Sequence, residues 1–259
     1  MSDASTRSSV ISRSKRADAL GVLGLSALLL ASFAISAVRA AGAVSDPSTA
    51  TTTTTPTSRS ATLLGPGSSG PAVLALQRRL VALHYWLGTP NGSFGDSTEQ
   101  AVYALQKAAG LTRDGIVGPK TEAALTKGVE PHPLPETGYE IEVDLEDDVL
   151  MFVTNGKLDW ALNTSTGGGY TYCVEGSCAV ADTPVGHFTI YDEVDGLVVD
   201  PLGELWRPKY FYEGFAFHGD SYVPPEPVSH GCVRVSDEAI DWVWSANLAP
   251  IGTAMWIYY

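Results

Sequence analysis

The chain has 259 residues, 44% of them hydrophobic, and a formal net charge of −13. This length allows more than one folded domain. Residues 1–138 contain 12 Lys and Arg against 9 Asp and Glu, whereas residues 139–259 contain 4 against 20. The acidic second half argues against nucleic acid as its partner, because phosphate backbones are bound by clustered cations.

The first 44 residues have the composition of a targeting segment. Basic residues up to Arg16 precede an uncharged run over 19–38, and small residues follow at 40–43. The run exceeds a signal-peptide core of roughly 7–15 residues and is long enough to cross a bilayer core of ~30 Å. Cleavage after Ala40 or Ala43 and retention as a signal anchor are therefore both open. Either route places the rest of the chain outside the cytoplasm.

Residues 45–64 are rich in Ser and Thr and predict a flexible linker. Residues 65–128 then show helical periodicity and predict a small all-α domain of three helices. The first helix is expected to begin at Pro71, and a second near Asp96 with Glu99 as its capping-box partner. The apolar positions of the first helix recur every three or four residues: Val73, Leu76, Leu80 and Leu83.

Two segments of this region, 92–98 and 115–121, share the pattern G-x-apolar-G-x-x-T. Each predicts a tight loop that leads into a helix, so the third helix is expected to begin at Gly118-Pro119. Two copies are too few for a solenoid.

Residues 129–138 contain Pro133 and Pro135 and predict a second linker. From Tyr139 the apolar residues alternate with acidic ones such as Glu142, which is the pattern of a half-buried strand. Further short strands and turns follow, and residues 255–259 form a final apolar strand. The whole predicts two domains, a small all-α three-helix domain followed by a mainly-β sandwich or barrel-like domain over 139–259.

Two dipeptides predict β-hairpins in this second domain. Asn155-Gly156 joins apolar runs over 149–154 and 157–162, and Asp195-Gly196 joins 188–194 to 197–199. One helix is expected after Arg234, with Ser236 as its N-terminal cap.

The candidate active site combines a thiol with two imidazoles. Cys232 lies in Ser229-His230-Gly231-Cys232-Val233-Arg234, and His218 precedes Gly219 upstream. A histidine within hydrogen-bond reach activates a thiol, and Gly231 leaves room beside the sulfur. Backbone N–H groups of such a turn are candidates to hold an oxyanion. Taken singly, a cysteine is usually a buried small apolar residue and a histidine usually a structural one, and two histidines with a cysteine are also candidate zinc ligands.

The string His218-Gly219, a short loop and then residues 229–234 resembles the signature of the L,D-transpeptidases, bacterial enzymes that cross-link peptidoglycan. The resemblance extends over 139–259. It implies that Cys232 is the nucleophile and His218 the general base and acid, with His230 as the alternative base or a residue lining the acyl pocket. No metal and no other cofactor is implied, and zinc becomes a minor alternative.

Supporting roles at the oxyanion and substrate follow from the resemblance for His230, Gly231, Ser229, Arg234 and Gly219. Ser229 is expected to hold an imidazole by a hydrogen bond, with a plain turn residue as the alternative. Arg234 is expected to lower the thiol pKa or hold a substrate carboxylate, and a structural ion pair explains it as well. Asp220 departs from the small polar residue that is frequent in the family. Two segments, 164–167 and 183–188, are expected to frame the cleft, and four aromatic residues to wall it, with core packing as their alternative: Trp206, Tyr210, Phe211 and Tyr212.

Residues 65–128 resemble the three-helix peptidoglycan-binding domain that accompanies many wall enzymes. The match rests mainly on glycines and apolar residues of the scaffold, so the function of the domain is implied but no individual contact is. The alternative is a helical spacer. The matching residues are Leu76-Gln77, Phe94-Gly95, Ala101-Val102, Leu105-Gln106 and Gly115 to Gly118.

Cys173 and Cys178 are expected to pair in an oxidising compartment and to leave Cys232 as a free thiol, unless both stay reduced.

The activity that the resemblance implies is acyl transfer from a tetrapeptide stem to a diamino-acid amine, which gives a 3→3 cross-link. An L,D-carboxypeptidase, another thiol hydrolase and a non-catalytic wall-binding protein are the alternatives. The sequence does not indicate the oligomeric state.

Overall fold

The computed structural model describes residues 63–259. The expected leader over 1–44 and its role as a membrane anchor lie outside the described residues, as does the Ser/Thr-rich linker up to residue 62. Among the helices of the described part, none is long and apolar enough to span a membrane.

The N-terminal part contains the three predicted helices, α1 (Pro71–Ala82), α2 (Asp96–Ala108) and α3 (Pro119–Lys127). The predicted apolar stripe of α1 is buried. The capping box is wrong in its details, because Gly95 is the N-cap of α2 and no side chain caps it. Asp96 lies within the first turn, where the helix dipole favours a carboxylate. Glu99 instead accepts a hydrogen bond from the Tyr103 hydroxyl at 3.1 Å.

The two repeated loops are each held by a buried glutamine that the pattern did not include. Each glutamine lies on the helix that precedes its loop, Gln77 on α1 and Gln106 on α2. Each side chain accepts from the first glycine N–H of its loop and donates to the final threonine: Gln77 with Gly92 and Thr98 at 2.8 and 2.9 Å, and Gln106 with Gly115 and Thr121 at 3.0 and 3.3 Å. The internal repeat is therefore structural as well as sequential.

The second domain is mainly β, as predicted. Its strands are β1 (Tyr139–Asp144), β2 (Val149–Thr154), β3 (Lys157–Asn163), β4 (Thr171–Val174), β5 (Ser177–Val180), β6 (Gly186–Thr189), β7 (Asp192–Glu193), β8 (Leu197–Asp200), β9 (Gly203–Tyr212), β10 (Phe215–Asp220), β11 (Val233–Ser236) and β12 (Ala254–Tyr258), with one helix, α4 (Asp237–Ser245), before β12. One sheet has the order β3-β2-β1-β12-β6 and a second the order β11-β10-β9-β7, with β8 also paired to β9. The hairpin β4–β5 is separate.

A single apolar core joins the two sheets and α4. It contains Ile141 and Val143 from the first sheet, Phe217 and Val233 from the second, and Ile240 from α4, each fully buried. The predicted cap of α4 is confirmed, since Ser236 Oγ accepts from the Ala239 N–H at 3.2 Å.

Of the two predicted hairpins, one is confirmed and one is wrong. Asn155 and Gly156 turn β2 into β3 with φ of 52° and 68°. Asp195-Gly196 joins no hairpin, because β7 and β8 both pair with the long strand β9 and not with each other. The Arg207 N–H donates to Gly196 O at 2.9 Å. The dipeptide is therefore a bend between β7 and β8 that stays hydrogen-bonded to β9.

Glu142 also departs from its prediction. The alternation in β1 placed it on the solvent side, but the residue is fully buried. Its carboxylate accepts from the Leu134 N–H at 3.0 Å and from the Tyr258 hydroxyl at 2.9 Å. The segment predicted as a linker therefore covers the outer face of β1, and burial raises the pKa of Glu142.

Strand β2 is buried on both faces because the helical domain packs against the first sheet. Val149, Met151 and Val153 belong to the same apolar cluster as the three-helix core, whereas Leu150 and Phe152 face the second sheet. Residues 84–86 continue the sheet beyond β3, with Ala161 N–H donating to His84 O at 2.8 Å. The two domains thus form one packed unit.

Candidate active site

His218 and Cys232 are brought together by two parallel neighbouring strands. His218 lies on β10, and Cys232 directly precedes β11. The register pairs Phe217 with Val233, both in the core, and His218 with Arg234. Because side chains alternate along a strand, His218 and the two residues on either side of Val233 share the opposite face. That face lines one cleft that contains His218, Cys232 and Arg234.

The hydrogen bond of His218 defines its tautomer. Its Nδ1 atom lies 2.8 Å from the carbonyl oxygen of Gly219. A carbonyl only accepts, so Nδ1 carries the proton and Nε2 keeps a lone pair. The side chain is buried, and this burial lowers its pKa. His218 is therefore a neutral imidazole at neutral pH, with Nε2 as a proton acceptor.

Cys232 carries the one free thiol of residues 63–259. Burial raises its pKa above the ordinary value, and Asp200 adds to that effect. A hydrogen bond with the Ala216 backbone and the charge of Arg234 act in the opposite direction and are weaker. The resting cleft therefore contains a neutral thiol and a neutral imidazole, and the expected lowering of the thiol pKa by Arg234 does not prevail.

Ser229 holds the backbone of the cysteine loop instead of an imidazole. Its buried Oγ donates to Cys232 O at 2.6 Å and accepts from the Gly231 N–H at 3.0 Å. The Gly231 N–H is thus already donated and is not free for an oxyanion in this structure. Gly231 has φ of +132°, and a Cβ there would lie 2.7 Å from Asp182 O. Only glycine fits this turn without a shift of the backbone.

His230 lies beside two tyrosines that the sequence analysis did not assign to the site. Its ring is 4.7 Å from that of Tyr172 and 5.6 Å from that of Tyr170, both edge-on. His230 and Tyr172 line the same cleft as Cys232. The arrangement fits a wall residue of the cleft. Tyr170 directly precedes strand β4 and Tyr172 lies within it, and no local pattern in the sequence indicated that either tyrosine contacts His230.

Arg234 is an ion-pair partner in the structure. Its Nε lies 3.3 Å from Asp220 Oδ2, and both side chains are about a quarter exposed, at 22% and 24%. The unusual Asp220 thus has a partner, and the pair lines the cleft. Gly219 lies between the strands and α4, where an added Cβ would be 2.6 Å from Ile240 Cγ2.

The cleft has a volume of about 570 Å³ and an acidic wall. Four carboxylates line it, at Asp200, Glu204, Asp220 and Asp237, against the single cation Arg234. Among the aromatic residues expected as walls, Trp206 lines the cleft, whereas Phe211 is buried in the core against Phe188. Tyr210 and Tyr212 are also outside the lining, and Phe215, which was not predicted, is in it.

The segments expected to frame the cleft support the cysteine loop from behind. Thr183 Oγ1 accepts from the Gly167 N–H and donates to Gly231 O, both at 2.9 Å. Ser165 pairs with Arg234 through backbone bonds of 3.1 and 3.2 Å. These segments fix the loop without lining the cleft.

Cys173 and Cys178 form a disulfide across the hairpin β4–β5. Tyr172 is the neighbour of Cys173 in this hairpin, so the disulfide stabilises the strand that faces His230. Within residues 63–259, no three His, Cys, Asp or Glu side chains form a cluster suited to a metal ion.

Comparison with known proteins identifies both parts. A family model for the peptidoglycan-binding domain matches residues 69–125, and one for the L,D-transpeptidase catalytic domain matches 138–257. Two curated relatives match the chain in part. N-acetylmuramoyl-L-alanine amidase CwlL of Bacillus licheniformis is 41% identical over 100 residues, and a probable amidase of the same organism is 49% identical over 72. The matches cover 33% and 27% of this chain, but only 28% and 20% of those relatives.

Among solved structures, the L,D-transpeptidase of Xylanimonas cellulosilytica (residues 123–326) is 47% identical, with a TM-score of 0.73. The match covers 75% of this chain and 97% of that one, and therefore includes both the helical and the β domain. With this similarity and the two family models, the chain belongs to the L,D-transpeptidase family and carries an N-terminal peptidoglycan-binding domain.

Proposed function

We propose that the protein forms 3→3 cross-links in peptidoglycan by acyl transfer through Cys232. The observation that carries this proposal is the His218 Nδ1 to Gly219 O hydrogen bond, which leaves Nε2 as a base in the cleft that holds the thiol. A thiol with a raised pKa needs such a base at the moment of attack.

In the first step, the donor is the carbonyl of the third residue of a tetrapeptide stem. His218 Nε2 takes the proton of the Cys232 thiol while the sulfur attacks this carbon. The protonated imidazole then gives the proton to the amine of the terminal D-alanine, which leaves. A thioester joins the stem to Cys232, and the imidazole is neutral again.

In the second step, the side-chain ammonium of a diamino acid from a neighbouring stem first loses a proton to solvent, and the resulting amine attacks the thioester. His218 takes a proton from this amine and returns one to the Cys232 sulfur as the peptide bond forms. The carboxylates of the cleft, among them Asp200 and Glu204, favour the approach of a cationic acceptor. This charge supports an amine over water as the acceptor, and hence transpeptidation over hydrolysis.

We further propose that the helical domain binds wall glycan and that the protein acts outside the cytoplasm. The match of residues 69–125 to a peptidoglycan-binding domain and the similarity to wall amidases support the first point. The basic and apolar leader supports the second. Its cleavage, or its use as a membrane anchor, stays a prediction.

Incubation of the protein with disaccharide-tetrapeptide muropeptides, followed by mass spectrometry, tests the reaction. The proposal expects a cross-linked dimer that has lost one D-alanine, and no product with the Cys232→Ala variant. A shortened stem without dimer would instead identify an L,D-carboxypeptidase. No change in the muropeptides with the native chain would favour a wall-binding protein without this catalysis.

A further inference from the structure

Helix α2 of the helical domain reaches the β domain through a fully buried lysine. Lys107 Nζ donates to Asp148 O at 2.8 Å, to Asp148 Oδ2 at 3.1 Å and to Thr164 O at 2.7 Å. All three N–H groups of the ammonium are thus used. Lysine is almost never fully buried without a partner. Burial lowers the pKa of Lys107 to about 8, and the charge of Asp148 opposes this.

The same aspartate binds the segment that supports the cysteine loop. Asp148 Oδ1 accepts from the Thr166 N–H at 3.1 Å and from the Thr166 hydroxyl at 2.8 Å. Lys107 therefore holds residues 164–166 at both ends, directly through Thr164 and by way of Asp148 through Thr166.

Residues 164–166 in turn bond to the chain on both sides of Cys232. Thr164 Oγ1 donates to Arg234 O at 2.7 Å, and the Ser229 N–H donates to Thr166 O at 2.9 Å. Ser229 is the residue whose hydroxyl binds Cys232 O. A continuous series of hydrogen bonds thus runs from helix α2 to the residues that position the nucleophile.

A second set of contacts holds the loop over 221–228 that connects β10 to the cysteine turn. Gln100 Nε2 donates to Val223 O at 2.9 Å, and Arg113 Nη1 donates to Pro225 O at 3.1 Å. This loop contains three prolines, which lack N–H groups, so it has few donors of its own for these carbonyls. The helical domain supplies the donors.

These polar contacts differ in kind from the apolar packing between the domains. Val149, Met151 and Val153 already bury the interface. A buried ion pair adds little net stability over an apolar replacement, because desolvation offsets its attraction. The energetic argument therefore favours a geometric role for Lys107 over a role in holding the domains together.

We propose that Lys107, Gln100 and Arg113 of the helical domain are positioning residues for the Cys232 reaction. They set the conformation of residues 164–166 and of the loop 221–228, which together place Cys232 against His218. The proposal rests on the proposed function, and it gives the peptidoglycan-binding domain a part in catalysis in addition to wall binding.

The test follows the acylation of the full chain by meropenem with intact-mass kinetics. Meropenem is too small to contact the active site and a glycan site on the helical domain at once, so wall binding does not affect the measured rate. Arg113→Met and Gln100→Met should each lower the maximal acylation rate constant about 10-fold, with the half-saturating meropenem concentration unchanged, since misplacement by ~1 Å costs up to 10²-fold. Lys107→Met should lower the same rate constant further, to about 100-fold below the native value.

Two controls separate positioning from stability. Arg79→Met removes a matched guanidinium bond to a backbone carbonyl, Leu125 O at 2.8 Å, that lies inside the helical domain. Val153→Ala weakens the apolar interface without touching the loop. Both should lower the melting temperature and leave the acylation rate constant within about two-fold of the native value.

Native rate constants in Arg113→Met and Gln100→Met would overturn the proposal, as would an equal loss in Val153→Ala. Lys107→Met removes a fully buried contact, so this variant is the one most prone to misfold. If it does not fold, the variants of the half-buried Gln100 and Arg113 still test the positioning role. Failure of the native chain to form any adduct is a separate result that rejects the proposed function, and this proposal with it.

Discussion

His218 donates its Nδ1 proton to the carbonyl oxygen of Gly219, its own neighbour, at 2.8 Å. Many catalytic imidazoles are oriented by a carboxylate, whereas here a neutral acceptor fixes the tautomer. The imidazolium that forms during the reaction therefore gains no ion-pair partner from this bond. The base is kept weak and neutral by burial, which determines the pH behaviour expected below.

His218→Ala should slow acylation of Cys232 by meropenem roughly 10²–10⁴-fold, because the thiol loses its base. Raising the pH should restore part of the rate, since hydroxide then makes the thiolate. Burial raises the thiol pKa above its ordinary value of 9.0, so the rate should still increase at pH 9. Intact-mass kinetics from pH 6 to 10 measure this recovery.

His230→Ala is the matched variant for that experiment. It should slow the reaction through the geometry of the wall with Tyr172, without recovery at alkaline pH. Cys232→Ala should form no adduct. Alkaline recovery in His230→Ala together with its absence in His218→Ala would show that the roles of the two histidines are reversed.

In the native protein, the acylation rate should begin to fall with acid only below the ordinary histidine pKa of 6.5. The burial of His218 lowers its pKa, so the base form survives to lower pH than a solvated imidazole would. The rate should therefore fall to half at a pH below 6.5. A midpoint above 6.5 in the acylation profile would contradict the neutral buried base described here.

Ser229→Ala should lower the acylation rate about 10- to 100-fold by freeing the backbone around Cys232. The substitution removes two hydrogen bonds, to Cys232 O and from Gly231 N–H, and should cost about 1–3 kcal/mol in the free energy of unfolding. Urea denaturation and acylation kinetics measure the two effects. Ser245→Ala, which removes an exposed bond to Trp242 O, is the control and should change neither. A normal rate in Ser229→Ala would exclude the positioning role of its hydroxyl.

The Cys173–Cys178 disulfide should affect substrate binding more than stability. It closes a short loop, so its loss should cost less than the ~3 kcal/mol of a 15-residue loop. The double variant Cys173→Ser and Cys178→Ser should loosen Tyr172 and raise the half-saturating donor concentration. Non-reducing peptide mapping of exported protein should find this pair joined and Cys232 free, and a native disulfide to Cys232 would refute its assignment as nucleophile.

Asp200→Asn with Glu204→Gln should lower the ratio of cross-linked to hydrolysed product by a few-fold. Both carboxylates line the cleft, and their charge should concentrate a cationic acceptor amine. Acylation should not slow, because the charge of Asp200 raises the pKa of the Cys232 thiol and its removal therefore favours the thiolate. Product analysis at low and high salt measures the ratio, and high salt should remove the difference between the double variant and the native chain. An unchanged ratio at low salt would argue against acceptor steering.

Local signals predicted the elements of the fold well wherever neighbouring residues decide them. Pro71 begins α1, Ser236 caps α4, and Asn155-Gly156 turns a hairpin as expected. Asp195-Gly196 carries the same kind of turn signal but lies beside β9, so the pairing of distant strands decided its structure. Glu142 likewise follows a strand alternation that is correct locally, yet the segment just before β1 folds back over it and the Tyr258 hydroxyl of β12 donates to it.

The site could be predicted only as far as its motif extends. The string around Cys232 identified the candidate nucleophile and both histidines. The direction of the Ser229 hydroxyl depends on the folded cysteine turn, and the pairing of Arg234 with Asp220 depends on the alignment of β11 with β10. The contacts of Lys107 depend on how α2 packs against the β domain, and no local sequence pattern predicts any of the three. The tyrosines beside His230 belong to this class as well.

Because β2 is buried on both faces, the β domain depends on the helical domain to cover one side of its first sheet. A fragment that began after the helical domain would expose Val149, Met151 and Val153 to water and would leave β3 as an open sheet edge where residues 84–86 now pair. Open apolar edges promote self-association. Kinetic constants from an isolated β domain would therefore describe an aggregating fragment with an unsupported cysteine loop, and exchange of the helical module between related enzymes would require a redesigned outer face of the sheet.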